Sequence, residues 1–256
     1  MREYAAAYSR ILTARNFHHV YIDAFAGSGL HISKVSGELV QGSPFRALSV
    51  DPPFKEFFFI DLDSQKADQL KQLFGERENV HIYEGDCNQV LLTEVFPHVR
   101  WKDFRRGLCL LDPYGLHLDW NVVSEAGKMK TIDMFLNFPI MDMNRNSLWR
   151  NPEKVDAPGI DPMNSFWGDD SWKGIAYKPQ QTLFGDEQVK QENLVIVEAF
   201  RERLWQVAGF SYIARALPMR NSRGAIVYYL LFASQKQVAE NIVEDIFSKY
   251  KERGMR

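Results

Sequence analysis

The first half of the chain alternates short apolar runs with longer amphipathic segments. The apolar runs cover residues 20–25, 57–61, 80–84, 108–112 and 132–138. Because apolar residues fill these runs without strict alternation, we expect strands that are buried on both faces of a parallel sheet. The segments between them place apolar residues at helical spacing, as Ala67, Leu70 and Leu73 do. Strand and helix are therefore predicted to alternate.

Helices are predicted between and around these strands. They cover the segment up to residue 15 and the ranges 43–50, 64–74, 87–96, 120–130, 192–207 and 237–251. Two later apolar runs, 210–217 and 225–233, lie close enough in the chain to predict an antiparallel hairpin. The pattern predicts an α/β fold with three layers. Its Rossmann-like sheet has seven mostly parallel strands and a C-terminal antiparallel hairpin.

Residues 146–191 interrupt this alternation. Pro, Gly, Asn and Asp are frequent there, and Trp149, Trp167 and Trp172 are scattered among the turn residues. Long loops inside a compact chain are usually functional or disordered, and the aromatic residues argue against full disorder. We expect a loop-rich insertion that acts as a lid or docking segment within one domain spanning residues 1–256.

Composition narrows the function classes. The 256 residues are 45% hydrophobic and 25% charged, with a formal net charge of −2, which is ordinary for a globular protein. Contacts with nucleic acid would therefore depend on local basic patches, such as residues 100–106 or Arg145 with Arg150. Two cysteines form no disulfide framework, and no signal peptide or membrane span is expected, so we predict a cytoplasmic protein. Histidines occur without metal-ligand spacing, and we predict no metal site.

The most informative motif joins the first apolar run to a glycine turn. Residues 21–29 read Tyr-Ile-Asp-Ala-Phe-Ala-Gly-Ser-Gly, so Asp23 ends the strand directly before Gly27 and Gly29. A carboxylate there would repel phosphate but attract a cationic ligand such as S-adenosylmethionine, which carries an ammonium and a sulfonium. A nicotinamide dinucleotide site needs a third glycine and an acid about 20 residues later. Position 32 is isoleucine and Asp61 lies too far away, so this alternative is the weaker one.

Acids also stand at the ends of the next strands. Asp61 ends the second run, Asp86 follows the third and Asp112 ends the fourth. Because ligands bind at the carboxyl ends of parallel strands, we expect Asp61 to bind ribose hydroxyls and Asp86 the adenine amino group. The competing interpretation of Asp86 is a helix cap. The predicted cofactor-binding residues are Asp23, Phe25, Ala26, Gly27, Ser28, Gly29, Asp61, Leu62, Asp86 and Cys87.

Residues 110–116, Leu-Leu-Asp-Pro-Tyr-Gly-Leu, indicate a catalytic site. The Asp112 carboxylate and a carbonyl beside Pro113 can accept the hydrogens of an exocyclic amine, while Tyr114 stacks on a base. Holding the amine nitrogen in line with a methyl donor is most of the catalysis that amine methylation needs. The simpler alternative is that Asp-Pro only ends a strand. The predicted substrate-binding residues are Asn137, Arg145 and Arg150.

These motifs resemble the three-Cys-motif partner (TcmP) proteins, a bacterial, archaeal and phage-associated family. The resemblance covers about residues 1–145 and includes Gly-Ser-Pro at 42–44, Phe-Ile-Asp at 59–61, Gly-Asp-Cys-Asn at 85–88 and Asn-Phe-Pro at 137–139. It implies a class I methyltransferase fold with S-adenosylmethionine as cofactor, and a partner that is a three-cysteine iron–sulfur protein of the radical S-adenosylmethionine type. The Asp-Pro-Tyr-Gly sequence is similar to the Asp-Pro-Pro-Tyr motif of enzymes that methylate amines in nucleic acids.

Two functional hypotheses follow. The first is an S-adenosylmethionine-dependent methyltransferase that methylates an exocyclic amine of RNA or DNA. The second is a cofactor-binding partner protein that docks on the iron–sulfur protein through the 146–191 insertion, with little or no nucleic-acid methylation. Transfer of labelled methyl groups to RNA or DNA would separate them.

Overall fold

Strands and helices alternate along the chain in the computed structural model, which describes residues 1–32, 37–182 and 185–253. The strands are β1 (His18–Asp23), β2 (Leu30–Ile32), β3 (Leu39–Gln41), β4 (Glu56–Asp61), β5 (Val80–Glu84), β6 (Arg105–Leu111), β7 (Ile132–Phe138), β8 (Tyr177–Thr182), β9 (Gly185–Lys190), β10 (Tyr212–Ile213), β11 (Leu217–Arg220) and β12 (Ile226–Ser234). The α-helices are α1 (Arg2–Ala14), α2 (Ser43–Leu48), α3 (Ser64–Phe74), α4 (Cys87–Val90), α5 (Trp120–Met129), α6 (Ile140–Asn146), α7 (Ala157–Trp167), α8 (Trp172–Ala176), α9 (Asn193–Gln206) and α10 (Gln237–Arg253). Among the described helices, none is both long and apolar enough to cross a membrane.

The central sheet has the strand order β10-β12-β7-β6-β1-β4-β5, and β11 also pairs with β12. Strands β1, β4, β5, β6 and β7 are parallel, whereas β12 runs antiparallel to β7, β10 and β11. The strand predicted at 210–217 is split into β10 and the start of β11. At this break the Arg201 guanidinium donates hydrogen bonds to the backbone carbonyls of Ile213 and Ala214. These bonds link the end of β10 to α9.

Both faces of the sheet are covered, which explains the continuous apolar runs. Along β1, Val20 and Ile22 belong to one buried cluster and Tyr21 to the other. Helices α4, α5, α7 and α9 contribute to the first cluster, and α1, α2, α3 and α10 to the second. Since successive side chains of a strand point to opposite faces, each strand needs apolar residues at every position.

The 146–191 segment is more regular than the predicted loop-rich insertion, because it contains α7, α8 and the β8–β9 hairpin. Phe166, Trp167 and Trp172 are buried there, and Trp149 is exposed. Proline and glycine made this stretch resemble a loop. Pro158, however, lies in the first turn of α7, where a backbone N–H has no helical partner to lose.

The two ends of the parallel strands have different surroundings. The carboxyl ends lead to Asp23, Asp61 and Asp112, whereas Arg105 and Arg106 stand at the amino end of β6, beside the start of β1. The basic segment 100–106 therefore lies at the end of the sheet opposite the predicted site. This placement agrees with its position before the fourth predicted strand.

Candidate functional site

The turn after β1 exposes bare backbone at one of its two glycines. Gly27 (φ +65°) and Gly29 (φ +78°) both adopt left-handed conformations, which glycine tolerates best. A Cβ atom on Gly27 would meet no atom within 4 Å, whereas one on Gly29 would lie 3.2 Å from Leu70. Gly29 therefore packs against α3, and Gly27 leaves open space into which a ligand can approach the backbone.

Asp23 is fully buried, and neither carboxylate oxygen accepts a hydrogen bond of good geometry in the described part of the chain. Burial raises its pKa to about 7, while the Ser43 hydroxyl and the Phe25 N–H are near enough to act as weak donors that lower it, and the charges of Asp112 and Asp61 raise it further. The three acids are thus close enough to influence one another. A buried carboxylate with only weak donors is costly, so this arrangement fits a cationic ligand group.

Asp61 braces the glycine turn. Its Oδ2 accepts a hydrogen bond from the Gly27 backbone N–H at 2.8 Å, and its Oδ1 accepts one from the Asp63 N–H at 2.9 Å. The sequence did not predict this bracing role. Each carboxylate oxygen accepts more than one hydrogen bond, so ribose hydroxyls remain compatible partners.

A cavity of about 440 Å³ adjoins the turn. Four predicted cofactor-binding residues line it, namely Phe25, Leu62, Asp86 and Cys87. The described residues of its lining also include Gly85, Asn88, Leu116, His117, Asp119, Asp161, Pro162 and Ser165. Leu62 is 76% exposed and contributes an apolar side chain to the edge of the cavity. The cavity thus combines an apolar edge with several polar groups, as small-molecule sites do.

Asp86 does cap α4, as the competing interpretation holds. Its Oδ1 accepts hydrogen bonds from the backbone N–H and the side-chain amide of Asn88, at 2.9 Å and 3.0 Å. No described residue donates to Oδ2, and the side chain is exposed at the cavity. Asp86 can therefore serve as a cap and a ligand acceptor together.

The neighbouring groups hold this wall in place. The Asn88 side-chain carbonyl accepts the backbone N–H of Asp119 at 2.8 Å, and Asp119 accepts the hydroxyl of Ser165 from α7. Cys87 is buried, and burial raises the pKa of its thiol to about 12. A thiol this resistant to ionisation packs as a small apolar group and is not a nucleophile.

A second cavity of about 580 Å³ shares Leu116, His117 and Pro162 with the first. Its described lining includes the predicted residues Asp112, Pro113, Tyr114, Asn137 and Arg145. The sequence therefore predicted residues that the fold brings together from β6, β7 and α6.

Asp112 lies at the centre of the predicted catalytic group. Its Oδ1 accepts a hydrogen bond from the Asn137 side-chain amide at 2.5 Å. Asp112 is exposed to the cavity. Desolvation by the surrounding protein raises its pKa, while the hydrogen bond from Asn137 lowers it. Tyr114 is 87% exposed, so its ring is free to contact a ligand.

Tyr228 also lines this cavity, although no sequence pattern had predicted it as a site residue. It lies on β12, which the topology inserts beside β7. Burial and the Asp112 charge raise the pKa of Tyr228, so the two side chains face a common region. Only the antiparallel placement of β12 brings them together.

The two predicted substrate arginines differ in position. Arg145 lines the second cavity and pairs with Asp142 at 3.5 Å. Arg150 is absent from the described lining of both cavities and lies near Lys190, whose pKa is lowered by burial and by the Arg150 charge. The structure thus brings Arg145 to the predicted site and leaves Arg150 outside it.

Several solved structures are distantly similar to this chain. Protein LPL1258 from Legionella pneumophila, of the DUF519 family model, is 12% identical with a TM-score of 0.55, covering 97% of this chain and 91% of its own. The methyltransferase domain of bacterial CtHen1 is 11% identical with a TM-score of 0.43, covering 90% and 96%. An S-adenosylmethionine-dependent methyltransferase from Mesorhizobium loti is 11% identical with a TM-score of 0.39, covering 88% and 95%.

The predicted fold class is confirmed: the chain forms an α/β Rossmann-like fold with a mostly parallel sheet and antiparallel C-terminal strands. No protein-family model and no curated protein matches the sequence. The resemblance to the three-Cys-motif partner proteins therefore stays a prediction.

Proposed function

We propose that this protein is an S-adenosylmethionine-dependent methyltransferase that methylates an exocyclic amine of a nucleic acid. The observation that carries the proposal is Asp23, a buried carboxylate that accepts no hydrogen bond of good geometry from the described residues and lies beside the open backbone of Gly27. Asp61 and Asp112 add negative charge to the same region. A ligand with an ammonium and a sulfonium would supply the positive charge that this cluster lacks.

The first cavity suits the rest of the cofactor. Asp61, already braced against the glycine turn, would accept the ribose hydroxyls. Asp86 would accept the adenine amino group through Oδ2, while Leu62 and Phe25 would cover the base. When bound, S-adenosylmethionine supplies an activated methyl group, and these residues hold and orient it.

The second cavity suits the methyl acceptor. Asp112, held by the Asn137 amide, would accept a hydrogen bond from the amine and align its nitrogen. As the methyl group left the sulfonium for the nitrogen, the neighbouring carboxylate would stabilise the positive charge developing on the amine, which is neutralised when the nitrogen loses a proton. Tyr114 offers an exposed ring on which a base can stack. Arg145 would leave its ion pair with Asp142 and pair with a phosphate of the nucleic acid instead.

The direct test is methyl transfer from labelled S-adenosylmethionine to total tRNA, rRNA or DNA. We expect transfer by the natural protein and a loss of about 100-fold or more in Asp112→Ala, much larger than the loss of cofactor affinity measured by calorimetry. Asp68→Ala is the matched control, since Asp68 is an exposed acid that pairs with Lys71 on α3. Full transfer by Asp112→Ala would overturn the assigned role.

The same experiment addresses the partner-protein hypothesis. Cofactor binding without transfer to any polymer would favour a protein that docks on a three-cysteine iron–sulfur enzyme. The proposed docking insertion contains three tryptophans. Trp167 and Trp172 are buried, and Trp149 is exposed. Trp149→Ala should then weaken capture of that partner without changing cofactor affinity.

A further inference from the structure

A second kind of pocket lies at the opposite end of the sheet. It has a volume of about 230 Å³ and is bounded by α1, α10 and the amino ends of β6 and β7. Its walls are mainly apolar, with Ile11, Leu12, Phe17, Val238 and Ile242 among them. We refer to it as the amino-end pocket. The candidate cofactor and substrate cavities share none of its described residues.

The charges around the amino-end pocket are unbalanced. Arg15, Arg106, Lys130 and Lys236 line it, and none of them forms an ion pair with a carboxylate in the described part of the chain. Asp133 is the acid in its described lining. Four cations therefore face one carboxylate across apolar walls.

Asp133 is already committed to other partners. Its Oδ2 accepts the hydroxyl of Tyr4 at 2.6 Å, and its Oδ1 accepts the hydroxyl of Ser234 at 2.6 Å. Burial raises its pKa to about 6, and the nearby charges of Lys236 and Arg106 partly offset that rise without forming ion pairs with it. Asp133 thus leaves a surplus of positive charge at the pocket.

Two of the cations are held against aromatic rings. The Arg106 guanidinium lies 3.8 Å from the centre of the Trp101 ring and 4.5 Å from that of Phe17, and it donates to the Arg105 carbonyl at 2.6 Å. The Lys236 ammonium lies 6.0 Å from the Trp101 ring. Rings that hold the cations in place reduce the entropy lost when an anion binds.

We propose that the amino-end pocket binds a small amphipathic carboxylate, with an apolar body against Ile11, Leu12 and Ile242 and its carboxylate toward Arg106 and Lys236. The pocket volume limits the apolar body of the ligand to a single aromatic ring or a short acyl chain, since pockets for drug-sized ligands measure roughly 300–1,000 Å³. The apolar walls supply affinity and the unpaired cations supply selectivity for a carboxylate.

Calorimetric titration with 4-phenylbutyrate and octanoate tests the proposal, with their neutral amides as paired controls. We expect saturable binding of one carboxylate per chain, and binding of the amides at least about fivefold weaker. Quenching of Trp101 fluorescence, compared with Trp101→Phe, gives a second readout at the pocket itself. Asp23→Asn should leave this binding unchanged, since Asp23 lies at the other end of the sheet.

Substitutions at two exposed positions test whether the positive charge of the amino-end pocket contributes to carboxylate binding. Lys236→Gln and Val238→Glu should each weaken carboxylate binding by about fivefold and leave the melting temperature unchanged. Lys249→Gln, an exposed position of α10 outside the described lining, is the matched control for charge. Equal affinity for acid and amide, no binding of either acid to the natural protein, or equal effects of Lys236→Gln and Lys249→Gln would overturn the proposal.

Discussion

Two carboxylates at opposite ends of the central sheet show how differently one fold treats the same group. Asp23, at the carboxyl end of β1, is fully buried and accepts no hydrogen bond of good geometry from the described residues, with Ser43 and Phe25 as weak donors nearby. Asp133, near the amino end of β7, receives hydroxyls from Tyr4 and Ser234. Burial raises the pKa of both groups, to about 7 for Asp23 and about 6 for Asp133.

The difference separates an acid that serves binding from one that serves structure. Asp133 links α1, β7 and the end of β12 through its two donors, so its interactions are complete within the protein. Asp23 gains no such compensation and is placed beside the open turn at Gly27. We interpret Asp23 as a group whose partner comes with the ligand.

The largest expected effect is on cofactor binding. Asp23→Asn should weaken S-adenosylmethionine affinity by about 100-fold or more, because the variant removes the buried charge that pairs with the cation. Calorimetry measures the affinity, and Asp133→Asn serves as the comparison, with a change below about threefold. Equal losses in both variants would erase the distinction between the two acids.

The pH dependence of stability sharpens the comparison. In the folded protein Asp23 holds its proton up to about pH 7, whereas the unfolded chain releases it near pH 3.8. The folded state therefore binds more protons between these values, and the contribution of Asp23 destabilises the fold as pH rises through this window. The full penalty above pH 7 is on the order of 4 kcal/mol.

Asp23→Asn should consequently gain stability relative to the natural protein as pH rises from 4 to 8. Chemical unfolding of both proteins without cofactor, across this range, measures the gain. A stability difference that stays constant with pH would contradict the assigned pKa.

At pH 5 both acids are predominantly protonated, so hydrogen bonding alone distinguishes them. Asp133→Leu should then lower the free energy of unfolding by about 2 kcal/mol, because it leaves the hydroxyls of Tyr4 and Ser234 without their acceptor. Asp23→Asn at the same pH should change it by less than about 0.5 kcal/mol. Urea unfolding gives both values, and similar losses would show that Asp23 also has donors in solution.

The smallest effect concerns which end of the sheet meets nucleic acid. Arg145 and Arg100 are both exposed and both pair with an aspartate three residues away, but they stand at opposite ends. Arg145→Gln should weaken RNA or DNA binding by about fivefold and reduce its salt dependence. Arg100→Gln should leave both unchanged in a filter-binding or anisotropy titration. The reverse result would move the nucleic-acid surface to the amino end.

Local patterns were sufficient for much of the fold and part of the site. Continuous apolar runs predicted strands covered on both faces, since burial of both faces removes the alternation that a half-exposed strand shows. Glycines in left-handed conformations marked the turn after β1, and strand-terminal acids marked the ligand end of the sheet. These features depend on neighbours within a few residues, which the sequence displays directly.

The tertiary structure decided what depends on distant segments. Tyr228 reaches the region of Asp112 only because β12 inserts antiparallel beside β7, and Asp61 reaches the Gly27 amide only because β4 lies next to β1. Helix α7 forms despite Pro162, with Phe166 and Trp167 buried in the core. Local patterns specified which side chains end each strand. Packing between elements far apart in the chain decided which of those side chains meet, and whether a buried carboxylate there receives a donor.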